Sequence, residues 1–343
     1  MTNRPSNSAI RHPAEWEEQA ATWLSFPHHP KNWAGERGVK IRQFYFDLVC
    51  QISKFQPVKL IVPKGWTLPE EESPRFIKCK FAPQVYSIRT NDIWIRDYGP
   101  FFVKKGKKKL LVQTKFNAWG AKFPPYGLDD NVPAQIAKLE NLPISEVPYI
   151  FEGGAIEINA DGLGITTLDC ITGKNRNESK DLKKITNALC KAFGLRDILI
   201  LPCGLFGDHT DGHIDNVARF VQNERLVVAS EKDETSPNHE RLLKAKIMLE
   251  EWLQMHYGKK AKVDTLPLPP QGKLGNEVLP ASYMNFIYAN GALFFPCYAP
   301  KTDKIAKTYF KSIYPDRKII GIDCRSVIEE GGSLHCMSKQ ECL

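Results

Sequence analysis

The chain has 343 residues, of which 42% are hydrophobic and 25% charged, and carries a formal net charge of +8. That composition belongs to a globular protein able to bury a large core and excludes disordered and collagen-like classes. No run of 18 or more apolar residues occurs, and Met1-Thr2-Asn3-Arg4-Pro5-Ser6 has no apolar leader, so the reading is a cytoplasmic protein without a membrane partner.

In chain order, a tryptophan- and proline-rich opening over 11–35 holds a strand candidate at 21–26. Apolar residues at helical spacing over 39–55 predict a helix, Pro57 ends it, and Val58-Lys59-Leu60-Ile61-Val62 resumes as a strand. Further helices are expected over 132–139, 179–193 and 238–255. Between them fall hairpins: 93–97 into 101–103, 155–158 into 163–167, 213–221 into 226–229, and 283–289 through Asn290-Gly291 into 292–295. These starts recur roughly every 60–70 residues, and strand candidates near 21 and 333 supply one more pair from the termini. The pattern predicts an α/β fold of about five repeated strand–helix modules in a ring or propeller, as a single domain over 1–343. The basic run Lys104-Lys105-Gly106-Lys107-Lys108-Lys109 lies between two apolar strands, so it reads as a solvated hairpin tip rather than a nucleic-acid patch.

Nine cysteines are scattered without a Cys-x-x-Cys pair, which removes zinc knuckles and thioredoxin-like motifs and predicts free thiols. Cys336 follows an apolar stretch, read as a strand, and the pair Gly331-Gly332; it is the candidate nucleophile. Asp97, Glu152, Asp211, His213 and Asp215 stand beside or within apolar segments, where an uncompensated charge is expensive. On a strand, His213 and Asp215 would share a face, and His335 would point away from Cys336, which makes His335 structural. A zinc site on His209 and His213 needs a helix that Gly212 disfavours. Carboxylates around a thiol suppress the thiolate, so they make sense if the substrate brings a positive charge. A guanidinium gripped by two carboxylates would satisfy both and help ionise the sulfur.

Six linked motifs carry a family resemblance. Asn91-Asp92-x-Trp94-x-Arg96-Asp97-x-Gly99-Pro100, Phe116-Asn117-Ala118-Trp119-Gly120, Glu152-Gly153-Gly154, Thr210-Asp211-Gly212-His213-Ile214-Asp215-Asn216, Ala281-Ser282-Tyr283-x-Asn285 and Gly331-Gly332-x-x-His335-Cys336 together resemble the agmatine deiminases. They also resemble the related bacterial-type peptidylarginine deiminases of the guanidino-group-modifying superfamily. The resemblance implies a five-module α/β propeller and hydrolytic deimination of a small cationic guanidino substrate, agmatine, to N-carbamoylputrescine and ammonia. It implies that Cys336 attacks the guanidinium carbon, Asp97 and Asp215 grip its nitrogens, His213 acts as general acid and base, and Glu152 supports His213. It implies no metal or organic cofactor. Trp94 and Trp119 would wall the substrate chain, with Asp211, Asn285 and Gly332 also near the substrate. One departure is Ser333 directly after only two glycines, which bears on substrate choice. Arginine or peptidyl-arginine deimination, a silent guanidino-binding protein and an RNA-binding protein are the rival readings, and a homo-oligomer stays open.

Overall fold

The computed structural model describes residues 10–343 apart from 68, 70–73, 75, 77, 78, 179, 180 and 276. The Met1–Ser6 reading and the first two residues of the helix expected from 179 lie outside the described residues.

The structure is a mixed α/β fold in which one local plan recurs in five sheets. An antiparallel pair is followed by a helix and then by a third strand laid parallel to the second. Phe101–Lys105 and Lys108–Lys115 pair antiparallel, the helix Val132–Glu140 crosses over, and Ile144–Ile150 adds in parallel. Ile156–Ile158, Leu163–Thr167, Leu182–Phe193 and Asp197–Leu201 repeat the plan. So do Ala218–Gln222, Arg225–Ser230, Pro237–Tyr257 and Lys262–Pro267. Ile287–Ala289, Ala292–Cys297, Pro300–Ile313 and Lys318–Asp323 make the fourth. The fifth joins the two ends of the chain: Ser338–Cys342 pairs antiparallel with Gln19–Ser25, and Gly35–Ile52 leads to the parallel strand Val58–Val62.

The elements follow from local sequence. Val58–Val62 is buried at all five positions, as a strand covered on both faces must be. In Leu182–Phe193 the buried residues Ile185, Leu189 and Phe193 form a stripe at four-residue spacing, Asp181 caps the start, and Gly194 ends the helix with a left-handed backbone. The basic run is a hairpin tip, with Lys105 paired to Lys108.

Three expected strands are not strands. Ile95–Tyr98 is a single helical turn, closed by the Gly99 N–H on the Ile95 carbonyl at 2.9 Å; a short apolar run cannot be assigned by periodicity alone. His213 precedes a 3₁₀ turn, Ile214–Asn216, and the strand begins only at Ala218. Here the Asp208 carboxylate accepts both the His213 backbone N–H and the Asn216 side-chain amide at 3.1 Å, a local side-chain bond that displaces strand pairing. The apolar stretch before Gly331 is the helix Arg325–Ile328, and the chain near 333 forms a turn, with the terminal strand starting at Ser338.

Candidate active site

Cys336 sits in that turn, immediately before the terminal strand. The Met337 N–H reaches the Ser333 carbonyl at 3.2 Å and the Ser338 N–H reaches the His335 carbonyl at 3.1 Å. Asn285 ties the turn from outside: its carbonyl oxygen accepts the His335 and Cys336 N–H groups at 2.9 and 3.3 Å, and its amide lies 3.2 Å from the Cys336 sulfur. A Cβ on Gly332 would lie 2.5 Å from the Trp94 ring and 3.1 Å from the Cys336 Cβ. Glycine there lets the indole pack against the thiol's own loop.

Asp97 is held by the helical turn Ile95–Tyr98, and both of its oxygens have donors. Oδ1 accepts the Gly154 N–H at 2.8 Å and Oδ2 accepts the Trp119 indole N–H at 3.0 Å. A Cβ placed on Gly154 would meet His213 Nδ1 at 2.5 Å, Asp97 Oδ1 at 2.8 Å and Asp215 Oδ2 at 3.0 Å. Three side chains from two distant segments therefore converge on one bare stretch of backbone. Glu152 adjoins this stretch, and its Oε1 accepts Arg176 Nε at 2.8 Å. None of Cys336, His213, Asp97, Asp215 and Glu152 is more than 7% exposed. Both His213 ring nitrogens, Glu152 Oε2 and Asp215 Oδ1 are buried with no hydrogen-bond partner in the protein. Buried polar atoms are ordinarily paired, so this concentration marks atoms aimed at something the site receives.

The electrostatics agree. Burial, then Asp215 and Asp97, push the Cys336 thiol well above its ordinary pKa. Burial lifts Asp97 to about 6, with His213 opposing and Asp215 and Glu152 adding. For His213 burial disfavours the charged ring, yet Asp97, Asp215 and Glu152 outweigh it and raise its pKa. Burial would raise Asp215 too, but the hydrogen bond and charge of His335 hold it below the ordinary value.

A cavity of about 450 Å³ opens onto Cys336, Asp97, Trp94, Trp119 and Gly332. Asp92, Glu329 and Glu330 line it as well, opposed by Lys31, Arg37 and Lys122. Arg37 pairs with Glu330 at 3.4 Å, and desolvation raises Asp92 to about 7. Asn285, His213, Asp215, Glu152 and Asp211 do not line this cavity, and the Asp211 carboxylate pairs with Arg176 and Lys122. Among the described residues, no three His, Cys, Asp or Glu side chains are grouped so as to hold a metal ion.

Three residues that the sequence reading did not single out support the site. Arg176 holds Glu152 and reaches the Thr210 carbonyl at 2.8 Å. Glu15 and Arg219 pair at 2.7 Å beneath His335. No motif flags them, because each is recognisable only by its partner, and the partners lie 24 to 320 positions away.

A buried thiol and Asp97 face one cavity, and Asp97 converges with His213 and Asp215 at Gly154, an arrangement with the chemistry to receive a compact cation beside a sulfur. The sequence profile of the Porphyromonas-type peptidyl-arginine deiminase family matches residues 11–342, and the chain belongs to this family. A Legionella pneumophila (strain Paris) protein provisionally named an agmatine deiminase is 30% identical, over 99% of this chain and 98% of its own length. A substrate-bound Cys-to-Ser variant of C. jejuni agmatine deiminase superposes with a TM-score of 0.88 at 32% identity, covering 97% of this chain and 96% of that one. The agmatine deiminase of Enterococcus faecalis superposes with a TM-score of 0.86 at 27% identity, covering 98% and 97%.

Proposed function

We propose that this protein hydrolyses agmatine to N-carbamoylputrescine and ammonia through an amidino group carried on Cys336. The observation that carries the reading is the convergence of Asp97, His213 and Asp215 at Gly154, together with a thiol that burial and the two carboxylates hold protonated. A site that suppresses its own nucleophile until a cation arrives fits a guanidinium substrate. Once bound, the guanidinium neutralises Asp97 and Asp215, lowers the thiol pKa and places its planar carbon against the sulfur.

The steps then follow from the positions of the groups. The thiol, its pKa lowered, releases its proton to solvent; the thiolate forms a bond to the guanidinium carbon, and His213, protonated in the field of three carboxylates, gives its proton to the departing nitrogen. Ammonia leaves, and the carbon stays bonded to Cys336. Neutral His213 takes a proton from water, whose oxygen attacks that carbon. The C–S bond breaks, the ureido product departs, and the thiol is restored. Asp97 is pre-set by Gly154 and Trp119, and Glu152 by Arg176, so little reorganisation accompanies reaction. Asp92 and Glu330, in the same cavity as Cys336, offer carboxylates to the distal ammonium, whose positive charge would favour their ionised forms against burial.

Two further readings belong to this proposal. The five like sheets close into an α/β propeller around the site, supported by the pairing of the two terminal strands. The compartment is the cytoplasm, supported by nine cysteines that form no disulfide; no helix among the described residues is long and apolar enough to cross a membrane.

The test is a panel of agmatine, free arginine and an arginine-containing peptide with colorimetric detection of the ureido product. Agmatine should be the preferred substrate by kcat/KM. Preference for the peptide would favour the activity in the family's own name, and no turnover of any of the three would refute the enzyme reading.

A further inference from the structure

Asp215 has one oxygen committed and one open. Oδ2 accepts a hydrogen bond from His335 Nδ1 at 2.7 Å, while Oδ1 is buried without a partner in the protein. The other ring nitrogen, His335 Nε2, lies 2.8 Å from Glu15 Oε1. Glu15 is itself pinned, by Arg96 on Oε1 at 3.0 Å and by Arg219 on Oε2 at 2.7 Å. Arg219 is fixed in turn by the carbonyls of Met284 and Phe286 at 3.0 and 2.9 Å. The backbone of His335 is held on both sides, its N–H by Asn285 at 2.9 Å and its carbonyl by Arg96 Nε at 3.1 Å.

The geometry points to a Glu15–His335 relay in which His335 is a positioning residue that fixes the rotation of the Asp215 carboxylate and directs its open oxygen at the guanidinium. This rests on reading Asp215 as one of the two carboxylates that grip the substrate. The physical need is plain. The terminal torsion of an aspartate is broad, whereas bidentate capture of a planar cation requires both acceptors within about 0.5 Å and 10–20° of the productive geometry. A carboxylate–histidine pair behind a functional group supplies that orientation, and removing such a partner commonly costs about 10–100-fold in affinity or activity. Plain core filling would not call for this arrangement, because buried ion networks are often replaceable by apolar side chains without loss of stability. The relay also acts on charge, since the His335 hydrogen bond is the chief influence lowering the Asp215 pKa against burial.

Two variants separate positioning from packing. Asn at 335 places an amide nitrogen near the position of Nδ1 and keeps the donor to Asp215. Gln reaches toward Glu15 and loses that donor. Kinetics as a function of pH, on whichever guanidino substrate the wild type turns over, should find His335→Asn within about tenfold of wild type in kcat/KM. His335→Gln should fall by about 10²-fold. In His335→Gln the buried Asp215, without its donor, should join Asp97 in setting the acidic limb, which moves to higher pH. The other groups facing Asp215, namely His213, Arg219, Asp97 and Cys336, are unchanged between the two variants, so the shift reports the lost donor. Circular dichroism establishes that each variant is folded. If His335→Gln does not fold, Glu15→Gln replaces it, with the same direction of limb shift expected and a smaller loss. Equal activity of the two folded position-335 variants, greater activity of the Gln variant, or an unmoved limb in the variant read would overturn the relay. Failure of agmatine alone as a substrate overturns the substrate assignment and leaves this test intact.

Discussion

Asn285 donates a side-chain N–H to the Cys336 sulfur across 3.2 Å, and its carbonyl oxygen accepts the backbone N–H groups of both His335 and Cys336. One amide thus fixes the nucleophile's loop and its sulfur together. Small displacements of a reacting group cost about 10²-fold in rate, so Asn285→Ala is expected to lower kcat by that order while the protein remains folded. Steady-state ureido assays check this; a loss under about threefold contradicts it.

The contact between Gly332 and the Trp94 ring gives a second prediction. A methyl at position 332 would sit 2.5 Å from that ring, so the indole must move. Gly332→Ala should cost about 1–3 kcal/mol of stability through overpacking and, because Trp94 lines the cavity, should raise KM as well. Denaturant unfolding and substrate titration measure the two effects separately. A variant with wild-type KM would mean that Trp94 does not touch substrate.

Activity should depend on pH through Asp97 and His213. Asp97, raised to about 6, must ionise to grip the cation, so kcat/KM should climb through that region. His213 is raised above the ordinary imidazole value and must be protonated to release ammonia, so kcat/KM should fall once pH passes its pKa. Glu152 contributes to raising both groups. Replacing it by Gln lowers both values, and the whole profile should move to lower pH. A stationary profile, or one displaced upward, would contradict the electrostatic account of the site.

Stability should depend on the buried cluster under His335. Glu15 accepts from Arg96 and Arg219 and lies 2.8 Å from His335 Nε2, and its removal leaves two guanidinium groups short of an acceptor. Breaking a buried pair by deleting one partner costs about 3–5 kcal/mol, so Glu15→Ala should shift the urea midpoint accordingly. A loss under about 1 kcal/mol would mean that water reaches the cluster and replaces the carboxylate.

Much of this molecule was legible in its sequence where periodicity is long. The helices over 35–52, 182–193 and 237–257 and the hairpin at Asn290-Gly291 follow from apolar spacing and turn chemistry. Cys336, His213, Asp97, Asp215 and Glu152 lie together as the motifs implied, but by a different local route. His213 and Asp215 are brought together by a 3₁₀ turn that Asp208 stabilises, not by alternation along a strand, so the conclusion stood on a mistaken geometry. His335 is expected to point away from the sulfur along a strand, but the chain there is a turn, and what directs the ring is Asp215 and Glu15. Asp211 sits in the same motif as His213 but has a positive φ and pairs with Lys122 and Arg176. Such pairings join residues far apart in sequence and leave no periodic trace. They become readable only when the chain is folded.

The most direct measurement of the central claim is mass spectrometry of protein quenched in acid during turnover of agmatine. Digestion should yield one modified peptide, containing Cys336 with the mass of the substrate-derived group that remains after ammonia is lost. Ureido product formed without any adduct, or with the adduct on another cysteine, would contradict the account.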